Sequence, residues 1–299
     1  MRINPNFVPN ILTDIQQSQV SLDTALQQVS TGKRVTIPSD DPYASASLVQ
    51  NTIETGNVDQ YTQNISSVLS TLQSADSALS TVVSSLTQAV SLGTEGANGT
   101  NSAANRAAIA TQVQGLLATV VAQANTSIGG SYLFGGTSAT TPYTADASSP
   151  TGYTYNGNDS VNSVQVGDST SVQVNIPGSQ IFSSSSNNVI GALSSLVAAL
   201  NTGNSSDIAT ATASITSAIG YIGQQRVIYG NSESQVNAQQ TFLQQDTVSL
   251  ASQQNDLIGV DEATAAVNLS QAETINNAAL AAAAKVLPNS LLNYLSPPS

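Results

Sequence analysis

The sequence contains no cysteine, no histidine and no tryptophan. Without cysteine there is neither a disulfide nor a thiolate, and without histidine there is no imidazole ligand, no histidine pH switch, and no Ser/His/Asp or Cys/His catalysis. Aromatic residues are only 4% of the 299 positions although 40% are hydrophobic, which is thin material for one large globular core. Basic residues are scarce: six Lys and Arg stand against 18 Asp and Glu, a net charge of −12. A nucleic-acid partner is therefore not expected, because a phosphate backbone needs a basic stripe and the single basic doublet is Lys33-Arg34. The carboxylates are scattered, and no close pair sits in an aromatic or glycine-rich pocket motif suited to acid–base work. No catalytic, metal-binding or cofactor-binding set is expected. No apolar run reaches about 18 residues, so no membrane insertion is expected. The opening Met1 to Asn6 has no apolar stretch of the kind a cleaved export signal carries, and an absence of cysteine suits the cytoplasm and the cell exterior equally.

What the chain has instead is a seven-residue apolar beat at both ends: Ile15, Leu22 and Val29 early, and Val236, Leu243, Leu250 and Leu257 late. Alternate steps of three and four extend the first stripe to Ile11, Ile15, Ser18, Leu22, Ala25 and Val29, one face of a helix. A longer run follows, Ile65, Leu69, Leu72, Asp76, Leu79, Val83, Leu86 and Val90, with Val68, Ala75, Val82 and Ala89 on its flank. Sustained heptads predict long helices in a left-handed coiled bundle, and Asp76 is expected at a wet edge of the seam. Terminal helices carrying so few apolar groups are marginal alone, and are expected to order by packing against copies of themselves.

Punctuation divides the chain. Gly32 ends the first helix, and Pro38-Ser39-Asp40-Asp41-Pro42 forms a turn whose Ser and Asp side chains can cap a second helix from about Tyr43 to Leu92. The Lys33-Arg34 doublet can pair with Asp40-Asp41, or with an acidic residue of a neighbouring subunit, and so fix that turn. Ser102 or Asn105 caps a third helix, which Gly129-Gly130 is expected to end. From Ser131 to about Ser186 short alternations such as Val164-Gln165-Val166, the turn signal Asn156-Gly157, and Tyr132, Tyr143, Tyr153 and Tyr155 predict a small β insertion with one packed sheet. Gly135-Gly136 is read as positive-φ backbone at its entry. Helix resumes at Asn188 and runs from about Ser206 to Leu257, with a bend expected near Gly220, Gly223 and Gly230. The fold class is therefore mainly α with a small β insertion. The expected domains are a terminal coiled region of residues 1–45 and 261–299, a helical rod of 46–130 and 187–260, and an outward β domain of 131–186.

Thr31-Gly32-Lys33-Arg34-Val35 followed by Pro38-Ser39-Asp40-Asp41-Pro42 resembles the N-terminal motif of the bacterial flagellin superfamily, and the Ala-rich end closing on Leu291-Leu292-Asn293-Tyr294-Leu295 resembles its C-terminal partner. The passage Leu133-Phe134-Gly135-Gly136 with Pro142 beyond it, and then Tyr155-Asn156-Gly157-Asn158, resembles the FlgL-type hook-associated branch of that superfamily. Ala281 to Lys285 departs from the Ala-Asn-Gln turn that ordinary flagellins tend to carry. The resemblance implies an inner tube of N- and C-terminal helices, packed through Ile11, Ile15, Leu22, Val29, Leu291, Leu292 and Leu295, with a rod and a small β domain outside it. It implies a non-enzymatic junction layer of an extracellular flagellum, self-associated in a ring or tube between the preceding hook-associated protein and flagellin. It also implies unfolded type III export with a cytoplasmic chaperone, which the Leu291, Leu292 and Leu295 patch could bind. A filament-forming flagellin is the alternative. An enzyme or adhesin on a flagellin-like scaffold is a third reading, for which an insertion with Asp146, Asp159 and Asp168 as its carboxylates is poor catalytic material.

Overall fold

The computed structural model describes residues 7–185 and 187–295, with side chains described for 10–185 and 187–285. Most of the described residues are helical. Its elements run α1 (Phe7–Thr31), α2 (Pro42–Gly96), α3 (Ala103–Ala124), β1 (Ser127–Ile128), β2 (Ser131–Tyr132), β3 (Tyr143–Ala145), β4 (Tyr153–Tyr155), β5 (Ser163–Gln165), β6 (Ser171–Gln173), α4 (Gly178–Ile181), α5 (Val189–Thr202), α6 (Ser205–Ile258) and α7 (Glu262–Leu295). Two compact units result, Met1–Asn57 with Asp246–Ser299, and Val58–Gln245.

Local signals set most helix ends. Gly32 adopts φ 67° and its amide donates to the Gln28 carbonyl, closing α1 in the left-handed conformation that glycine tolerates. Ser102 accepts from the Asn105 amide at the start of α3, and Asn188 accepts from Gly191 at the start of α5. Asp261 accepts from the Ala263 amide and the Thr264 hydroxyl ahead of α7.

In the Val58–Gln245 unit the fully buried row of α2 is Ile65, Val68, Leu72, Ala75, Leu79, Val82, Leu86 and Ala89. The row steps three then four, whereas the sequence reading stepped four then three, so Leu69, Asp76, Val83 and Val90 move from the seam to its half-covered flank. Both alternations start at Ile65 and share every second member. Ala75 and Ala89 alternate in this row with the larger Val68 and Val82, so apolar size alone does not reveal it. On α6 the buried row of this unit is Ile208, Ala211, Ile215, Ala218, Ile222, Tyr229, Val236 and Leu243. Asp76 lies on the edge of the seam as a partnered group: Arg226 grips it through Nε at 2.7 Å and an Nη at 2.9 Å, with about a third of each side chain exposed. The helix runs unbroken from Ser205 to Ile258, so the glycines that cost roughly 1 kcal/mol each relative to Ala do not interrupt it.

Helix α3 packs on α5 and buries Ile109, Val113, Leu117, Val120 and Val121. At 22 residues, with a window of mean hydropathy 1.3, it is, among the described residues, the one helix long and apolar enough to cross a membrane. It ends at Ala124, capped by Asn125, several residues before Gly129-Gly130. Those glycines, at φ 57° and 85°, form the two-residue turn of the β1–β2 hairpin, a primed turn in which both central residues need positive φ.

The insertion forms three two-stranded antiparallel ribbons, β1–β2, β3–β4 and β5–β6, where the sequence suggested one sheet. Strands of two or three residues satisfy their backbone in pairs and then dock on side chains. Asn156-Gly157 lies between β4 and β5, strands of different ribbons, and its amide donates to the Pro142 carbonyl at 2.7 Å. The core here is aromatic: Phe134 meets Phe182 edge-on with centroids 5.2 Å apart, Phe182 meets Tyr143 at 6.0 Å, and Tyr143 meets Tyr155 at 5.1 Å. Burial pushes the Tyr143 phenol well above its ordinary pKa, so it stays neutral and donates to the Gly178 carbonyl at 2.8 Å. The ribbon β5–β6 is tied to the long helices by the Tyr61 hydroxyl donating to Asp168, Asn64 donating to the Gln165 carbonyl, and the Ile176 amide donating to the Tyr229 hydroxyl.

The rotated seam is directly testable by truncating two adjacent valines. Val82→Ala, at a fully buried position, is expected to cost about 2 kcal/mol, and Val83→Ala on the flank less than about 1 kcal/mol, by urea denaturation. The reverse order of cost would restore the four-then-three seam.

Candidate assembly interface

The segment after α1 docks on the corner between α6 and α7. Lys33 makes an antiparallel bridge with Gly259, the Val260 amide donates to the Gly32 carbonyl at 3.0 Å, and the Arg34 amide donates to the Ile258 carbonyl at 2.7 Å. The Arg34 guanidinium spans two elements, reaching the Leu257 carbonyl at 3.0 Å and Asp41 at 3.2 Å. Val35, Ala44 and Ile258 form a small core beneath, with Leu48 and Leu257 against it. The two aspartates divide their work. Asp40 reaches back, accepting from the amides of Thr36 and Ile37 and the Thr36 hydroxyl; Asp41 reaches forward, capping α2 through the Ala44 amide with Pro42 in the first helical position. Hydrogen bonds from Ile37 and Thr36 hold the Asp40 carboxyl below its ordinary range, and those from Ala44 and Arg34 do the same for Asp41. With lowered folded-state values, what these carboxylates contribute is complete above the ordinary carboxylate range, and is lost only as pH falls through the lowered values.

The sequence paired Lys33-Arg34 with Asp40-Asp41. Arg34 and Asp41 make that pair, while Lys33 is exposed and in no ion pair among the described residues. Pro38 and Ser39 are exposed within the turn and Ser39 does not act as the cap. The partners Leu257, Ile258 and Gly259 lie more than 200 residues away, and only the glycine between two helical patterns hinted at a corner there.

Helices α1 and α7 pack antiparallel, with the Ser18 hydroxyl 3.0 Å from the Asn276 side-chain oxygen near the middle. The seam buries small groups, Ser18 and Ala25 from α1 and Ala265, Ala272 and Ala283 from α7. The larger Ile11, Ile15 and Leu22 are half-covered, because two helices alone wall a seam on two sides only. Val29 departs from the expected stripe: it is 44% exposed and Gln28 takes the half-buried place beside Ala25. Leu12, Val20 and Leu26 on α1, and Val267, Ile275 and Leu280 on α7, are also exposed. The side chains of Leu291, Leu292 and Leu295 lie outside the described residues, although their backbone belongs to α7.

The Leu133-Phe134-Gly135-Gly136 passage is buried throughout and positions its surroundings. The Phe134 carbonyl accepts from the Gly178 amide at 2.7 Å and the Tyr155 hydroxyl at 3.0 Å, and the Gly136 carbonyl accepts from Asn175 at 3.2 Å. Gly136 has φ 70°, and a methyl there would strike the Asn158 carbonyl. Gly135 is not left-handed; its constraint is space, since an added methyl would lie 3.2 Å from the Ser138 carbonyl and the Tyr132 side chain.

Asp40→Ala is expected to speed limited proteolysis between Gly32 and Asp41 several-fold, because two backbone amides lose their acceptor. Lys33→Ala should leave the rate unchanged, and equal acceleration by both variants would contradict the geometry.

Comparison with known proteins places these features. Descriptions of the bacterial flagellin N-terminal helical region and the bacterial flagellin C-terminal helical region match residues 3–139 and 212–295, together well over half of the chain. The chain is 31% identical over 166 residues to flagellar hook-associated protein 3 of Escherichia coli K12, covering 55% of this chain and 51% of that protein. It is 30% identical over 190 residues to flagellar hook-associated protein 3 of Salmonella typhimurium, covering 60% and 56% respectively. The chain thus spans about half the length of the curated relatives it matches. Among solved structures, a putative flagellar hook-associated protein from Vibrio parahaemolyticus superposes with a TM-score of 0.68 at 21% identity, covering 74% of this chain and all of that one. Bacillus cereus FlgL superposes at 0.60 and 23% identity, covering 69% and 99%. These structural likenesses establish the fold. With both helical regions matched and the mainly helical fold shared, the chain belongs to the bacterial flagellin family, a family of flagellar structural proteins.

Proposed function

We propose that this protein is a structural element of the bacterial flagellum that forms the junction layer between the preceding hook-associated protein and the flagellin filament. The observation that carries the reading is the match, at 30% and 31% identity, to two proteins named flagellar hook-associated protein 3. The buried Leu133 to Gly136 passage, which joins the end of α3 to the aromatic core of the insertion, adds a second support.

Assembly follows from the half-covered seam. In this reading Ile11, Ile15, Leu22 and Val29 of α1, continued on α7 by Leu291, Leu292 and Leu295, gain their missing cover from neighbouring copies in a ring or tube. The turn from Lys33 and Arg34 through Pro38, Ser39, Asp40, Asp41 and Pro42 holds the two terminal helices at one corner, so that both present their faces together. The partners proposed are other copies of this chain, the preceding hook-associated protein, flagellin, and a cytoplasmic export chaperone. The proposed location is the extracellular flagellum. A cysteine-free chain suits export in an unfolded state, since no disulfide has to form before or after passage.

Deletion of the gene in a motile host tests the proposal. Hooks without filaments, with flagellin shed into the medium, are expected by electron microscopy and immunoblot. Normal filaments and swimming would overturn the junction role, and truncated or absent filaments without shed flagellin would point to a filament subunit.

A further inference from the structure

Three glycines stand within eleven residues of α6, at Gly220, Gly223 and Gly230. None has positive φ, and nothing lies within 4 Å of where a Cβ would sit on any of them. Neither backbone conformation nor packing within the chain explains them, so alanine would fit and would make a stronger helix. Between them lie the β-branched Val227 and Ile228, 61% and 49% exposed, which add nothing to the core.

The buried row thins from this stretch onward. Past Ile222 it keeps one residue in seven, Tyr229, Val236 and Leu243, and Gln225, Ser232 and Gln239, at the positions that Ala211 and Ala218 fill earlier, are half-buried polar residues. Polar bonds to distant elements take over the work of holding the helix. The Tyr221 hydroxyl donates to the Gln180 carbonyl at 2.6 Å, Arg226 grips Asp76 of α2 with two bonds, and the buried Tyr229 hydroxyl accepts from the Ile176 amide at 3.2 Å. These latches fall at 221, 226 and 229, inside the glycine-weakened segment, while the aliphatic row on its N-terminal side, Ile208 to Ile222, needs no such bonds.

We propose that residues 220–230 of α6 are a built-in opening point of the helical rod, a stretch of weak helix held shut by the Asp76–Arg226 pair and the two tyrosine latches. Low helix propensity and few buried apolar contacts place a segment at the low-stability end of a fold, where it opens without the rest. The ion pair is the switchable element because it is one-third exposed, so salt weakens it, whereas the aliphatic rows on either side are indifferent to salt. The inference concerns this chain's own mechanics and stands whether or not the junction role does.

Hydrogen exchange of the full chain, read by mass spectrometry, tests it. Amides of 220–230 are expected to exchange at least tenfold faster than those of 208–218. Asp76→Asn and 1 M NaCl should each speed exchange in 220–230 several-fold with little change in 208–218. The triple variant Gly220→Ala, Gly223→Ala, Gly230→Ala should slow exchange in that segment by tenfold or more, and it has no packing reason to misfold. Equal protection of the two segments, or acceleration by Asp76→Asn spread evenly along α6, would overturn the proposal. A triple-alanine variant that exchanges like the parent would overturn it too.

Discussion

In the Val58–Gln245 unit a mostly aliphatic row of buried side chains at every seventh position, Val58, Ile65, Leu72, Leu79 and Leu86 on α2 and Ile208, Ile215, Ile222, Tyr229, Val236 and Leu243 on α6, runs along the two long helices. Helices α3 and α5 and the Phe134–Phe182 cluster supply the rest of the buried apolar material. With few aromatics and a surface of Ser, Thr, Asn and Gln, burial is affordable only along a narrow stripe, and a narrow stripe on a long helix has to find another long helix. Polar groups inside the row are then answered one by one. Buried Asn51 stands at a row position and donates to the Leu250 carbonyl at 3.0 Å, an arrangement that favours one axial register over its neighbours. Asp76 and Arg226 serve a similar end at the row's edge.

Within the Val58–Gln245 unit several elements meet these helices through named contacts. Gly93 of α2 lies so close to Leu196 and Thr212 that a side chain there would displace them, and Gly96 stands in the same way against Leu200. Helices α2, α5 and α6 therefore converge at the same end of α2. The β ribbons add no sheet of their own; they lean on Tyr61, Asn64 and Tyr229 of the long helices and on the Phe134–Phe182–Tyr143 cluster. In the Met1–Asn57 and Asp246–Ser299 unit, Arg34 and Asp41 tie the α1–α2 turn to the α6–α7 corner, and the α1–α7 seam remains half-covered. A half-covered seam of Ile11, Ile15 and Leu22 is the feature of the fold that most directly suits assembly.

Much of this was legible in the residues. Ser102, Asn188 and Gly32 mark helix ends because capping is local, and the heptads mark long helices because burial repeats with the turn. What local pattern could not supply was the choice between two alternations that share Ile65, Leu72, Leu79 and Leu86; the chosen one leaves Asp76 at the flank, where Arg226 reaches it. The Gly129-Gly130 turn was misplaced because a glycine pair suits a helix end and a tight hairpin alike. One sheet was expected where three ribbons formed, since alternation reports strands and not their partners. The family turn was visible, but its docking onto Leu257, Ile258 and Gly259 is a contact across more than 200 residues. Arg226 was not singled out as the partner of Asp76 for the same reason, 150 residues separating them.

The central claim is that this family member occupies a thin layer between hook and filament. Immunogold labelling of isolated flagella with antibody to the β insertion, residues 131–186, measures that placement. The account predicts a single band of gold at the distal end of the hook and none farther out. Label distributed along the filament would contradict it and assign the chain to the filament itself.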